Sequence, residues 1–141
     1  MNNPLRNVLA FIIGFAVGTI VNMGLVTLGP HVFPPPPGVN MTSAEGIAAA
    51  MPLLEARHSV FPFLAHALGT FAGALVAYVM ATSYRAAFAW ALGVLTLAGG
   101  IGAAFMIPAP KWFVALDLLV AYLPMAWLAI RLVTRVTAKR A

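Results

Sequence analysis

The titratable side chains of this sequence are few, and they are of the types that can exchange protons. There are three acids and three histidines, and there is no cysteine. They are Glu45, Glu55, Asp117, His31, His58 and His66. A carboxylate and an imidazole can pass a proton between them, because imidazole titrates near neutral pH, and both groups can bind Zn²⁺. The lack of cysteine excludes disulfides, thiolate metal sites and thiol nucleophiles.

The spacing of the histidines argues against a simple metal site. His58 and His66 are eight residues apart, just over two helical turns. A helical zinc site instead places its two histidines at i and i+4. We therefore assign no metal ligand and no catalytic residue from the sequence.

Three polar residues in separate apolar stretches are expected at one depth. With a rise of ~1.5 Å per residue, Asn22, His66 and Asp117 lie roughly 10, 9 and 8 Å below the outer ends of their stretches. A carboxylate in hydrocarbon costs on the order of 3 kcal/mol, so Asp117 needs a partner, and His66 is the best candidate. Asn22 and Thr70 would complete this network. The predicted polar core comprises Asn22, His66, Thr70, Asp117, Glu55 and His58. Of these, Glu55 and His58 are expected just above the others.

Composition identifies the surroundings of these residues as a membrane. The 141 residues are 62% hydrophobic and 8% charged, with a mean hydropathy of +0.97. Soluble domains carry roughly a quarter charged residues. The net charge of +5 comes from basic residues at the ends of apolar runs. It therefore indicates membrane topology, with the lipid bilayer as the partner, and it does not indicate nucleic-acid binding.

Four apolar runs each approach the ~20 residues that a helix needs to cross the hydrocarbon core. They cover residues 7–29, 60–84, 86–107 and 112–133. The pattern predicts an all-α fold: an integral membrane four-helix bundle that forms a single transmembrane domain. Pro124 should kink the fourth helix, because proline removes one backbone hydrogen bond.

The connection 30–59 is the only long one, and we expect it to cap the outer face of the bundle. Thr42-Ser-Ala-Glu45 is typical of a capping box, in which Thr42 caps a short amphipathic helix and Glu45 reaches back to it. Ile47 and Met51 would give this helix an apolar side. A freely solvated loop would not need such residues.

Orientation follows from the distribution of lysine and arginine. Six basic residues would lie inside if both termini are cytoplasmic, namely Arg6, Arg85, Arg131, Arg135, Lys139 and Arg140. Only Arg57 and Lys111 would remain outside. We therefore expect a multi-pass protein of a bacterial inner membrane with both termini in the cytoplasm.

Small residues recur every four positions on two of the predicted helices. Gly14 and Gly18 lie on the first, and Gly69 and Gly73 lie on the second. Small residues let membrane helices approach closely. These glycines would pack the bundle internally, and they could also form the seam of a homo-oligomer.

Three segments together resemble a group of small, uncharacterised four-helix bacterial inner-membrane proteins. They are Val-Asn22-Met-Gly, then His58-x-x-Phe-Pro-Phe-Leu-Ala-His66-Ala-Leu-Gly-Thr, then Pro-Ala-Pro-x-Trp112-Phe-x-x-x-Asp117-Leu. The resemblance covers nearly the whole chain and implies no activity. The sequence does not resemble small multidrug-resistance transporters, which carry a glutamate in their first helix. It also lacks the cysteine pair of vitamin K-type reductases.

The sequence favours a non-enzymatic accessory or small-solute-binding component, and this function predicts a closed bundle in which Asp117 is fully paired. One alternative is a proton-coupled transporter or channel acting as an oligomer, which predicts a wet cavity reaching Asp117 from outside. Another is a membrane enzyme acting on a lipid or quinone from the outer leaflet, which predicts a lateral opening between helices. The residues identify no cofactor and no protein partner.

Overall fold

The computed structural model describes residues 3–139, and Arg140 lies outside the described residues. Within that range the chain is helical and has no strand. The six α-helices are α1 (Pro4–Val32), α2 (Ala44–Ala50), α3 (Val60–Met80), α4 (Arg85–Met106), α5 (Lys111–Val120) and α6 (Leu123–Ala138). Two short 3₁₀ helices, Met51–Leu53 and Ala56–Ser59, connect α2 to α3. Four stretches are long and apolar enough to cross a membrane, as predicted: Pro4–Val32, Ala56–Met80, Arg85–Met106 and Lys111–Ala138.

The first helix is longer than the predicted 7–29. At its start the Asn3 side chain accepts a hydrogen bond from the Arg6 amide, and Pro4 occupies the first helical position. Proline is favoured there, because its missing N–H would have no partner within the helix. At its other end the Phe33 amide still bonds to the Gly29 carbonyl before the run of prolines begins.

The predicted second helix, 60–84, extends too far. In the structure α3 ends at Met80, and residues 81–84 form the turn into α4. Tyr84 adopts a left-handed conformation with φ 49°, which ends the turn immediately before α4. The turn contains Thr82 and Ser83, whose amides donate to the Asn7 side chain and not to the α3 backbone. We call the end of the bundle that carries this turn the turn end, and the end that carries residues 33–59 the loop end.

The predicted fourth helix, 112–133, is two helices. Ala121 and Tyr122 separate α5 from α6, and Tyr122 is non-helical with φ −119° and ψ −83°. Pro124 follows at the second position of α6, where a proline can begin a helix but cannot donate to a preceding turn. The expected kink is therefore a full break.

The cap of α2 also differs from the prediction. Ser43, not Thr42, accepts the hydrogen bond from the Gly46 amide at 3.0 Å. Thr42 instead donates its hydroxyl to the Asn40 side chain at 2.6 Å. A capping box does form later, where Glu55 and His58 cap the 3₁₀ helix Ala56–Ser59.

Helix α3 is the centre of the bundle and contacts α1, α4 and α6. Its buried residues are all small: Ala65, Ala67, Gly69, Thr70, Gly73, Ala74 and Ala77. Large aliphatic side chains lie on the outside of the molecule, for example Ile12, Ile20 and Leu119. The interior therefore depends mainly on close backbone approach, with Leu92 and Tyr122 as its large buried side chains.

The α1–α3 contact shows this approach most clearly. A Cβ added at Gly14 would lie 2.7 Å from the Gly73 carbonyl oxygen, and one added at Gly18 would lie 2.7 Å from the Gly69 carbonyl oxygen. These four glycines pack one chain internally. A homo-oligomer stays a prediction, and it would have to use other surfaces than this closed contact.

Candidate functional site

A cluster of three side chains lies near the loop end. Nδ1 of His66 is 2.8 Å and 2.9 Å from the two carboxylate oxygens of Asp117. The Tyr122 hydroxyl donates to Oδ2 of the same carboxylate at 2.9 Å. The rings of His66 and Tyr122 stack with their centroids 5.7 Å apart and 28° between their planes. We call His66, Asp117 and Tyr122 the loop-end cluster.

The break between α5 and α6 assembles this cluster. Residues five apart on an unbroken helix point about 140° away from each other. Because the chain leaves the helix at Tyr122, this side chain returns to Asp117 and is only 2% exposed. Gly100 on α4 leaves space for it, since a Cβ there would overlap the Tyr122 hydroxyl.

The carboxylate of Asp117 orients the ring of His66. An ionised carboxylate only accepts hydrogen bonds, so Nδ1–H of His66 donates to it. In the neutral imidazole Nε2 then carries the lone pair. Among the described residues no group bonds to Nε2 of His66. Every fully buried side-chain nitrogen or oxygen there has a hydrogen-bond partner, so Nε2 is not fully buried. Nε2 is therefore accessible, in agreement with a His66 side chain that is 27% exposed while that of Asp117 is 6% exposed.

A cavity of about 390 Å³ reaches this cluster from the loop end. We call it the loop-end cavity. His66 and Asp117 form its polar floor, and Glu55 and His58 lie in its wall. The rest of the wall is mostly apolar and comes from the ends of α1, α3, α4 and α5 and from the loop, including Ile47 and Met51. One well-placed polar group in an apolar cavity is typical of small-ligand sites.

A second cavity of about 430 Å³ lies between α1 and α4, with α3 behind it. We call it the lateral groove. Its polar side chains are Thr19, Asn22, Thr70, Thr96, His66 and Tyr122. His66, Gly100 and Ala103 line both cavities, so the two meet at His66.

The structure brings together only part of the predicted polar core. His66 and Asp117 pair as expected. Thr70 does not join them, because its hydroxyl donates to Thr96 at 3.1 Å. Asn22 faces the lateral groove and bonds to no side chain of the cluster. The depth of Asn22 stays a prediction, and its side chain lies in the groove instead of joining the His66–Asp117 pair.

Glu55 and His58 have local structural roles above the site. The Glu55 amide donates to Nδ1 of His58 at 3.0 Å, and Arg57 forms an ion pair with Glu55 at 3.0 Å. Nε2 of His58 lies 3.2 Å from the Pro34 carbonyl and ties the start of the loop to α3. Both residues still line the loop-end cavity.

The sequence reasoning missed Tyr122 and Gly100. The residue types carried no signal, since a tyrosine and a glycine in an apolar stretch are common. The proline two positions after Tyr122 was the available clue, because it predicts a break that redirects the preceding side chain.

A metal centre is not formed by the part of the chain that the structure describes. No three His, Asp or Glu side chains lie close enough there to hold an ion. His31 lies apart from the site, with its ring 2.9 Å from the Thr27 carbonyl. The chemistry of the site is therefore that of an oriented imidazole. It can accept a hydrogen bond, or take a proton, from a group in either cavity.

No family model, no curated protein and no solved structure matches this chain.

Proposed function

We propose that this is a multi-pass protein of a bacterial inner membrane, with both termini in the cytoplasm and residues 33–59 covering the outer face. The large apolar side chains on the outside of the helices support insertion into lipid. The basic residues support the orientation, because the turn end carries most of them: Arg6, Arg85, Arg131, Arg135 and Lys139. The loop end carries Arg57 and Lys111.

Its function, in this proposal, is to bind a small ligand through His66. The observation that carries the proposal is the accessible Nε2 of an imidazole whose other nitrogen is held by both oxygens of Asp117. Nothing needs to be reordered before Nε2 accepts a hydrogen bond. Such preorganisation lowers the entropic cost of binding. The ligand therefore has a hydrogen-bond donor and an apolar body that fits one of the two cavities that meet at His66.

The turn end argues for binding rather than transport. The residues nearest the turn end that line the lateral groove are Gly14 on α1 and Leu92 on α4. Beyond them α1 and α4 meet, with Phe11 and Phe88 in contact at a centroid distance of 6.5 Å. A transport path through a single copy would have to pass this contact. The arrangement supports a small-solute-binding component that is reached from the loop end and from the side. The closed bundle expected from the sequence is wrong, since two cavities reach His66 among the described residues.

One observation favours a second candidate, a membrane enzyme acting on a lipid. A carboxylate on Nδ1 with Nε2 free is the arrangement of a general base. In that case His66 would take the proton of a ligand hydroxyl. Recovery of the ligand unchanged after prolonged incubation, measured by mass spectrometry, supports binding, whereas a converted product supports the enzyme.

Phenol is a suitable probe, because it combines a small apolar body with one hydroxyl donor. The protein would be labelled with ¹⁵N-histidine in lipid nanodiscs, and the His66 resonances assigned by their loss in His66→Gln. We expect phenol to shift the Nε2 resonance in a saturable way. Toluene, which has nearly the same shape and no hydroxyl, should leave it unchanged.

Asp117→Asn should weaken phenol binding about tenfold, because a neutral amide holds the imidazole less firmly than a charge-assisted bond does. Circular dichroism of the variant would verify that it folds. The proposal is wrong if phenol and toluene act alike in the parent protein, or if phenol causes no saturable shift.

A further inference from the structure

We infer that the lateral groove binds the apolar chain of an amphiphile whose uncharged, hydroxyl-bearing head group is held at His66. This inference rests on the proposed function and names the class of its ligand. The ligand enters sideways, from the hydrocarbon of the membrane, and Asn22 provides a second contact for the head group.

The shape of the groove supports lateral access. Near the turn end α1 and α4 are close, since a Cβ on Gly14 would lie 3.0 Å from Cδ1 of Leu92. Towards the loop end the two helices separate, and a Cβ on Gly99 would meet nothing within 4 Å. Thr19, Leu95 and Gly99 line the groove and are exposed, so its side is open. A chain lying in the hydrocarbon can enter through this opening.

The polar groups in the groove favour a head group that both donates and accepts hydrogen bonds. Thr70 and Thr96 satisfy each other and the α4 backbone. The Asn22 amide, in contrast, has no hydrogen-bond partner among the described residues, and its side chain is half-buried in the groove. Because both residues line the groove, a head group there that donates to Nε2 of His66 and accepts from the Asn22 amide uses both unsatisfied groups.

The charge of the site argues against an anionic head group. Within residues 3–139, no lysine, arginine, aspartate or glutamate lines the groove. The carboxylate of Asp117 lies directly behind His66 and is held by it. An anion would face this carboxylate with only the imidazole between them, which is unfavourable where water is scarce. A neutral alcohol or phenol meets no such repulsion.

Photolabelling with one defined probe tests the inference. The probe is 4-dodecylphenol with a diazirine in the middle of its chain, added to the full-length protein in nanodiscs. We expect it to label α1 and α4 peptides that line the groove, those containing Thr19 or Leu95. Unlabelled 4-dodecylphenol should compete, and 4-dodecylbenzoate, its anionic counterpart, should compete about tenfold less well.

Two glycine variants provide a matched comparison. Gly99 and Gly102 both lie on α4 with nothing within 4 Å of an added Cβ, but only Gly99 lines the groove. Gly99→Phe should reduce groove labelling about tenfold, because the ring occupies the space of the chain. Gly102→Phe should leave the labelling at the level of the parent. Thermal unfolding of both variants shows whether they fold equally well.

The outcomes separate this inference from the function on which it rests. If phenol shifts the His66 resonance but the probe labels no groove peptide, lateral binding is wrong and ligand binding at His66 stands. Equal labelling in Gly99→Phe and Gly102→Phe, or better competition by the benzoate, also overturns the inference. The inference is also overturned if a chemical cross-linker, added without the probe, joins groove peptides of two copies. A second copy would then fill the groove. A phenol test without a saturable shift removes both proposals.

Discussion

At the turn end Asn7 is buried, and both the oxygen and the nitrogen of its side-chain amide bond to the turn between α3 and α4. Its oxygen accepts from the Thr82 amide at 2.9 Å, from the Thr82 hydroxyl at 3.0 Å and from the Ser83 amide at 3.3 Å. Its nitrogen donates to the Ser83 hydroxyl at 2.7 Å. At the loop end polar side chains are equally few, but one of them is not fully bonded. His66 keeps one nitrogen free beside two cavities.

The difference lies in what the side chains bond to. Asn7 accepts from the turn amides of Thr82 and Ser83, which have no other partner among the described residues. The fold itself therefore uses the hydrogen-bonding capacity of Asn7. The loop-end cluster contains only side chains, which hold one another in fixed directions. A polar group that is oriented but not saturated is suited to an incoming ligand. Burial alone therefore does not distinguish a structural polar residue from a binding one, and unused hydrogen-bonding capacity does.

The largest effect should come from removing the saturated group. Asn7→Ala leaves the Thr82 and Ser83 amides without their acceptor, and we expect a loss of about 2 to 3 kcal/mol in the free energy of unfolding. The matched control is Asn22→Ala on the same helix, which removes an amide that has no partner among the described residues. Reversible unfolding in mixed micelles measures both. Equal losses in the two variants would show that the hydrogen bonds of Asn7 stabilise the protein no more than the unbonded amide of Asn22 does.

A smaller effect is expected where the loop-end cluster depends on a glycine. Gly100→Ala places a methyl group against the Tyr122 hydroxyl. The displaced tyrosine should reduce the free energy of unfolding by about 1.5 kcal/mol, as in other overpacked interiors, and should weaken the phenol response. Gly102 lies two residues further along α4 with open space around it, so Gly102→Ala should not lower the free energy of unfolding. A stable Gly100→Ala with the full phenol response would show that the position of Tyr122 does not matter.

The smallest effect should follow the loss of one hydroxyl. Tyr122→Phe keeps the ring beside His66 but removes the bond to Asp117, which should lower the free energy of unfolding by about 1 kcal/mol. Because His66 still holds the carboxylate, its Nδ1 resonance should move only slightly. Tyr84→Phe is the control, since Tyr84 is exposed in the turn. If Tyr122→Phe abolishes folding, the loop-end cluster has a structural role, as the hydrogen bonds of Asn7 with the turn do.

The sequence predicted much of this arrangement, because helical geometry converts residue number into depth. It placed His66 and Asp117 at one level, and the cost of an unpaired carboxylate in an apolar interior then made them partners. The same reasoning failed for Asn22 and Thr70. Height along the bundle does not say which way a side chain points, and these two residues face the groove and Thr96 instead. Asn7 was passed over because it begins an apolar run.

The sequence by itself determined the local features of this protein: its helical class and the four stretches that are long and apolar enough to cross a membrane. These follow from hydrogen bonds within a few residues of one another and from side-chain polarity. Only the tertiary structure decided which helices touch. The four glycines close α1 onto α3, whereas Gly99 and Gly102 leave α4 open. The break after α5 then returns Tyr122 to Asp117. The glycine contacts join segments that are distant in the chain, and the place of Tyr122 depends on the space that Gly100 leaves on α4, so the spacing of residues along one helix cannot specify them.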